Sequence, residues 1–327
     1  MSHDRPAKVL ITGGIAGVES YAEALREGFT TLGIGCEVIA PSQIWSRWRE
    51  LRDPRVLKIL STSAAFAVPF AKRAMCIAHG LVSARYQGWR RSLAMLFTFK
   101  LANAFGEAQL VSISDYVTAH ISYLYKLDVD ATVRNPVKSI FLEPYTHDEH
   151  ERNYVTFVGR LIPVKNPAKL VPAICDIVNE TPGLRGCIIG DGPEREECEA
   201  LAKGNDRIEF LGERDHSFIR ERLRHSKVFV SGKVQEGFGI VYLEALSQGC
   251  SVAMPASGGG LEIALDHIGC GVHLMPINLN RAGVLSALRQ ALQSRPNPVD
   301  LSSYTAGAVA SAYLEADARR GNKREAF

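Results

Sequence analysis

The feature that most restricts the fold is an alternation repeated along the chain. Short apolar runs end at glycine or proline, and each gives way to a stretch of helical period. "AKVLITGG" reads as a buried strand and "VESYAEALREGFTTLG" as an amphipathic helix with Gly33 near its C-terminal end. "CEVIAP" is the next strand, stopped by Pro41. After a basic stretch, "AMCIAHG" is strand-like, "RRSLAMLFTFKLANAF" helical and "AQLVSIS" strand-like. "SDYVTAHISYLYK" is a helix with Ser114 or Asp115 as its N-cap, and "ATVRNPV" closes the first half. The polar, aperiodic "LEPYTHDEHERN" is the linker candidate. The pattern then restarts with strands "YVTFVG", "GCIIGDG", "IEFLG", "KVFVSG", "CSVAMP" and a short one near "GVHLM". Helices "AKLVPAICDIVNE", "EREECEALAKG", "FIRERLRHS" and "GIVYLEALSQG" fall between them.

Two such runs imply an α/β chain of two doubly wound, Rossmann-like domains facing each other across a cleft. A length of 327 residues suits two domains of roughly 150 residues each. The expected divisions are 1–147, 148–300 and a C-terminal helical segment 301–327. Ligands of such sheets bind at the carboxyl ends of the strands.

Charge and cysteine content narrow the classes. The net charge is +3, but between Trp45 and Phe105 eleven basic residues face two acidic ones, giving +9 there and −6 elsewhere. This segment interleaves its cations with aromatics, as in "WSRWRELRDPRVLK" and "RYQGWRRSL". It reads either as a solvated helical face or as a surface for anionic lipid headgroups or an anionic acceptor. No stacking platform or nucleic-acid module accompanies it, so no nucleic-acid partner is expected. The seven scattered cysteines form no C-x-x-C pair and read as reduced thiols of a cytosolic protein. No apolar run approaches the roughly 18 residues of a membrane span, and the N-terminus does not read as a signal peptide.

"ITGGIAGVES", between the first strand and helix, is a glycine turn including Gly14 whose free N–H groups and helix N-terminus suit an anion. It resembles the turn of short-chain dehydrogenases, with Glu19 where the last glycine should stand. Those enzymes also need a Tyr with a Lys four residues later, and none of the ten tyrosines has one: Tyr116 meets His120, Tyr123 meets Leu127 and Tyr242 meets Leu246. The second strand ends at Ala40–Pro41 without an acid for a ribose, which argues against a dinucleotide. In the second half, "FVGRLIPVKN" ends a strand at Gly159 and puts Arg160 and Lys165 on the following loop, a pair suited to a diphosphate. In "VFVSGKVQEGFGIVYLEALSQG", Glu236 lies just past a strand end, Gly237 and Gly239 flank Phe238 in a turn, and Ile240 opens a helix. Glu244 sits about a turn and a half into that helix and leans back toward its N-terminus. Two such carboxylates, if unpaired and buried, are costly, which favours a polyhydroxylated ligand, although pairing with nearby Arg or Lys is the alternative.

Glu236 and Glu244, with seven residues between them, resemble the E-x7-E signature of family 4 retaining glycosyltransferases. "GRLIPVKN", "IGDGPERE" and "SGGGLEI", which contains Glu262, are similar to that family's G-R-x-x-x-x-K, G-x-G-P and G-G-x-x-E segments. "GGIAGVES", "VSISDYV" and "RNPVKSIF" resemble its first-half segments, with Lys138 standing where the family has Asp. The likeness covers almost the whole chain. It implies the GT-B fold, with the C-terminal helix crossing back to the first domain. It further implies that Arg160 and Lys165 hold the donor diphosphate, that Gly14 and Gly159 belong to substrate-binding turns, and that Glu236 with the N–H groups of Gly237, Phe238, Gly239 and Ile240 lies at the donor sugar. Glu244 is implied to bind the ribose, and His79, ending "AMCIAHG", to lie beside the transferred sugar. The expected activity is transfer of a hexose-type unit, with retention and without a metal or other cofactor, from a nucleoside diphosphate sugar to a glycan or lipid-linked acceptor. Cell-envelope polysaccharide or lipopolysaccharide synthesis is the expected setting, in the cytoplasm and peripheral on the membrane's inner face. A nonenzymatic nucleotide-sugar binder and an epimerase or phosphorylase on the same fold are the competing readings.

Overall fold

The computed structural model describes residues 5–13, 17–81, 88–104, 108–143, 152–295 and 297–324. The chain divides into two units, Met1–Ser139 with Ser302–Phe327, and Ile140–Leu301.

The first unit is built on β1 (Lys8–Thr12), β2 (Gly35–Ile39), β3 (Val56–Ser61), β4 (Ala74–Ala78), β5 (Ala108–Ser112) and β6 (Ala131–Thr132). Helices α1 (Gly17–Thr31), α2 (Trp89–Ala104) and α3 (Asp115–Tyr125) connect them. The strands lie in the order β2-β1-β3-β4-β5-β6 and every pairing is parallel. A parallel sheet buried on both faces needs near-continuous apolar strands, and every residue of β3 and β4 is buried. Ser114 is the residue that caps α3, its hydroxyl accepting from the Val117 N–H at 3.1 Å.

Strand β3 is a correction to the sequence reading, which left the basic stretch without a strand. Its apolar run is interrupted by Lys58, yet Lys58 is 0% exposed because its ammonium donates to the carbonyls of Asp53, at 2.6 Å, and Lys72. Much of the basic segment is likewise spoken for. Arg47 pairs with Glu37 and Glu50, Arg55 with Asp53 at 2.9 Å, and Arg73 with Asp317 at 2.7 Å.

The second unit carries β7 (Tyr154–Val158), β8 (Arg185–Ile189), β9 (Ile208–Gly212), β10 (Ser226–Val230), β11 (Ser251–Pro255) and β12 (Val272–Met275). Its helices are α4 (Pro167–Glu180), α5 (Arg195–Leu201), α6 (His216–Arg224), α7 (Ile240–Ser247), α8 (Gly259–Asp266) and α9 (Arg281–Gln293). The parallel order is β12-β11-β10-β7-β8-β9. Chain direction across the sheet therefore reverses between β7 and β10, and in the first unit between β1 and β3. Each reversal opens a crevice at the carboxyl ends of the two strands.

The last helix, α10 (Ala306–Arg324), belongs to the first unit and packs on α1. The approach is close: a Cβ on Gly28 would lie 2.0 Å from the Ala306 carbonyl oxygen. Nearby, the buried hydroxyls of Tyr21 and Tyr313 hydrogen-bond at 2.6 Å. The first division falls before the polar linker instead of within it, because Phe141 is anchored in the second unit. Its carbonyl accepts from Gln248 Nε2 at 2.7 Å, and Glu143 pairs with Arg220. The expected break at 147 lies outside the described residues.

Candidate active site

The crevice between β7 and β10 gathers the second-half motifs. Past β7, Gly159 and Arg160 lead into a short turn, Pro163–Lys165, and Asn166 then starts α4. The Asn166 side-chain amide donates to the Gly232 carbonyl at 2.8 Å, tying this loop to the one that follows β10. Lys165 is thereby placed within 3.5 Å of Glu236 Oε2, while Lys233 meets Oε1 at 2.6 Å. The Gly237 N–H also donates to Oε1, at 3.2 Å.

Glu236 has a side chain only 13% exposed. Burial by itself pushes its carboxyl up, but the charges of Lys165 and Lys233, the Lys233 hydrogen bond and the Gly237 N–H outweigh it and hold it at about 2. Burial also pulls the Lys165 ammonium below its usual range; the charges of Lys233 and Arg160 add to that and Glu236 opposes it. Arg160 is exposed, and its guanidinium makes no hydrogen bond or ion pair among the described residues.

The turn Gly237–Phe238–Gly239 is buried and enters α7 through Gly239, whose φ of +96° belongs to the left-handed region. A Cβ there would also lie 2.5 Å from the Tyr242 ring. Ile240 opens α7 and Glu244 lies partly buried further along it. The other glycine turns brace this arrangement from behind. The Gly259 N–H donates to the Glu236 carbonyl at 2.9 Å, and the Leu161 N–H donates to that of Asp191 at 2.8 Å. The structure thus joins Gly159, Arg160, Lys165, Glu236, Gly237, Phe238, Gly239 and Ile240 at adjacent strand ends, with Glu244 on the helix that starts there.

His79 belongs to the first unit. It follows β4 and lines a cavity of about 870 Å³ together with Gly13, Ser61, Ser63 and Thr98. The Tyr21 ring meets the imidazole edge-on, with centroids 4.7 Å apart. Burial pushes the imidazole down to about 4, so it is neutral near pH 7 and offers a hydrogen bond instead of a charge. Gly14 lies outside the described residues.

The sequence reading missed Lys233 and the run Ser61–Thr62–Ser63. Both follow strands at the crevices. Lys233 was legible as a cation three residues before Glu236, whereas the serines were hidden with β3. Among the described residues, no group of three or more His, Cys, Asp or Glu side chains is placed to hold a metal ion.

The cluster's charge can be tested by titration. The folded Glu236 carboxyl titrates at about 2 against an ordinary 4.5. The stability it contributes is therefore complete above pH 4.5 and is lost as pH falls toward 2. Replacing Lys233 by Met should cost about 2 kcal/mol at pH 7, the worth of a charge-assisted hydrogen bond. That cost should shrink as acid protonates the carboxyl. Denaturant unfolding at neutral and acid pH measures it, and an equal cost at both pH values would show that Lys233 acts through packing.

Comparisons with known proteins bear on the family and the fold. A family model, Glycosyl transferases group 1, matches residues 144–307, half of the chain. The phosphatidylinositol N-acetylglucosaminyltransferase gpi3 subunit of Schizosaccharomyces pombe is 29% identical over 117 residues, covering 35% of this chain and 26% of that protein. The chain thus matches about a quarter of the length of such curated relatives. The crystal structure of Anabaena Alr3699/HepE in complex with UDP and glucose superposes with a TM-score of 0.67 at 17% identity, over 96% of this chain and 95% of that one. That of WaaG, a glycosyltransferase involved in lipopolysaccharide biosynthesis, gives 0.64 at 15% identity, over 94% and 95%. At these identities the structural likeness establishes the fold, two Rossmann-like domains of the GT-B kind. Together with the family match, it shows that the chain belongs to the group 1 glycosyl transferases.

Proposed function

We propose that the chain is a retaining, metal-independent glycosyltransferase of the E-x7-E, family 4 type. It moves a hexose-type sugar from a nucleoside diphosphate sugar to a glycan or glycolipid in cell-envelope polysaccharide or lipopolysaccharide synthesis. The observation that carries this reading is the ion cluster of Lys165, Lys233 and Glu236 at the β7–β10 crevice, with Arg160 beside it.

The two lysines divide the work. Lys233, at 2.6 Å, keeps Glu236 ionised and fixed, and Lys165, at the looser 3.5 Å, is released to the donor diphosphate together with Arg160. As the bond from the anomeric carbon to the diphosphate oxygen breaks, these two cations stabilise the charge that develops on the leaving group. That is the service a metal gives in other transferases. The N-terminus of α7, reached through Gly237, Phe238, Gly239 and Ile240, adds N–H groups favourable to an anion. Glu236 accepts hydrogen bonds from the sugar hydroxyls and Glu244 from the ribose diol. The acceptor hydroxyl oxygen bonds to the anomeric carbon on the face the diphosphate leaves, and its proton passes to the departing diphosphate.

The first unit also carries features of a surface-bound enzyme. Trp45, Trp48, Phe66 and Phe70 are exposed and their rings touch, with centroids 5.5–6.0 Å apart. Arg52 lies over Trp48 and Arg90 over Trp89, and Arg49, Lys72 and Lys100 are exposed nearby in sequence. The ion pairs of Arg47 and Arg55 leave fewer cations to act than the segment's +9 suggested, and Tyr86 and the Arg91 side chain lie outside the described residues. No described helix is long and apolar enough to cross a membrane. The proposed location is cytoplasmic and peripheral on the inner face of the membrane.

Replacing Lys165 or Arg160 by Ala should each lower turnover well over tenfold, since one lost contact to the leaving group costs roughly 2–4 kcal/mol. Glu244→Ala should mainly weaken nucleoside diphosphate affinity and Glu236→Ala mainly turnover. Steady-state kinetics and calorimetry check both, and near-normal activity in both cation variants would place the diphosphate elsewhere.

Cations near an anionic leaflet are worth about 1 kcal/mol each. The protein should therefore sediment with anionic but not zwitterionic vesicles, and salt should release it. Indifference to anionic vesicles at low salt would remove the membrane reading.

A further inference from the structure

The inward face of α10 is a single stripe. Ala306, Val309, Ala310, Tyr313, Ala316 and Asp317 are all buried, spaced by three and four residues as one side of a helix requires. Its first turn lies against Gly28 of α1, where a side chain would collide with the Ala306 carbonyl. Further along, the Ala316 carbonyl accepts from Gln109 Nε2 at 3.0 Å and Asp317 pairs with Arg73 at 2.7 Å. These contacts set both the rotation and the register of α10, so Tyr313 occupies a fixed place in the first unit.

Arg73 immediately precedes β4 and His79 immediately follows it. The helix that grips one end of this strand also reaches toward the other, through Tyr21. That residue lies one turn into α1 and leans back toward the helix start, where β1 has just ended. Its ring meets the His79 imidazole edge-on with centroids 4.7 Å apart, and its hydroxyl meets that of Tyr313 at 2.6 Å. Tyr21 is 5% exposed and Tyr313 0%. Hydroxyls with so little access to water need a protein partner, and these two serve each other. The imidazole thus packs on a ring whose own place is set from α10.

That packing also controls water. Burial is what pushes the imidazole down to about 4. The carboxylates described in the same cavity wall, Glu19 and Glu23 of α1, would act in the opposite direction. Uncovering the ring must therefore raise its proton affinity.

We propose that Tyr21 and Tyr313 are positioning residues for His79: the Tyr313 hydroxyl fixes the Tyr21 ring, and that ring fixes the imidazole and shields it from water. Helix α10 then acts on the reaction although none of its described residues lines the cavity. The inference rests on the transferase reading for the work His79 does, and its first test needs no donor.

That test is an NMR titration of the full chain, with the His79 ring signals identified by their loss in His79→Gln. Between pH 5 and 8 His79 should not titrate in the unaltered chain, whereas in Tyr21→Leu its midpoint should rise by at least about one pH unit. Tyr313→Phe, nearly isosteric, should displace the His79 ring signals while those of the other histidines stay in place. A midpoint unmoved in Tyr21→Leu, or titration of His79 between pH 5 and 8 in the unaltered chain, overturns the shielding. His79 signals unmoved in Tyr313→Phe, or movement of all the histidines together, overturns the action of Tyr313 through Tyr21.

Turnover of uridine diphosphate glucose supplies the second readout. Tyr313→Phe should lower it about threefold to tenfold, the worth of one hydrogen bond, but should lower it no further in a His79→Gln background. An equal drop in both backgrounds would show a role that does not pass through His79. Calorimetry with uridine and guanosine diphosphates reports on the other unit. If neither binds, the transferase reading fails, while the titration still judges the placement of His79.

Discussion

A carboxylate with little access to water is tolerated only where cations and N–H groups meet it, and Glu236 sets that requirement for the second unit. It takes Lys233 from its own loop, Lys165 from the loop after β7 and the N–H of Gly237. These groups converge because β7 and β10 are neighbours in the sheet although β8 and β9 lie between them in the chain. The Asn166–Gly232 hydrogen bond holds the two loops in register, and Gly259 supports the Glu236 backbone from a third. The Gly239 turn admits the Tyr242 ring against its Cα, which brings α7 up close behind the carboxylate. An ionised group, a strand order and several glycine turns thus form one device, primed with more positive charge than Glu236 alone can neutralise.

The first unit solves the corresponding problem with opposite chemistry. Its reversal point, between β1 and β3, is lined by hydroxyls, a neutral imidazole and the carboxylates of Glu19 and Glu23. Thr12 and Ser61 there hydrogen-bond across the two strands at 3.1 Å. Several of the surrounding cations are bound to carboxylates or carbonyls, or turned onto aromatic faces. The two units thus differ in charge at their reversal points, the second cationic and the first without a described Lys or Arg in its lining. Tyr313 ties α10 into this arrangement: its hydroxyl meets that of Tyr21, whose ring packs on His79.

What was legible in the sequence was whatever depends on local order. Strand and helix alternation follows from periodicity, and Ser114 capped its helix as such residues do. The glycine turns and the Arg160, Lys165, Glu236 and Glu244 positions stood out because they occupy strand ends and one short span. What depended on distant partners was not legible. Strand β3 was concealed because Lys58 looks like a surface residue until the carbonyls of Asp53 and Lys72 are folded around it. The basic segment looked more strongly charged than it is, since Arg73 finds its acid, Asp317, 244 positions away. Phe141 sits in a polar-looking junction, yet Gln248 claims its carbonyl from 107 positions on and moves the division of the chain. Helices α8 and α9 also went unread: α8 opens on glycines, and α9 interleaves Arg, Gly, Ser and Gln with its apolar positions.

The most direct test of the account is a crystal structure of the chain with a nucleoside diphosphate bound. Its diphosphate oxygens should lie within about 3 Å of Lys165 Nζ and of the Arg160 guanidinium, the range of charge-assisted hydrogen bonds. Lys233 should remain on Glu236 while Lys165 has turned away from it. A diphosphate bound outside the β7–β10 crevice, or one bound there with Lys165 still on Glu236 and Arg160 in solvent, would contradict it.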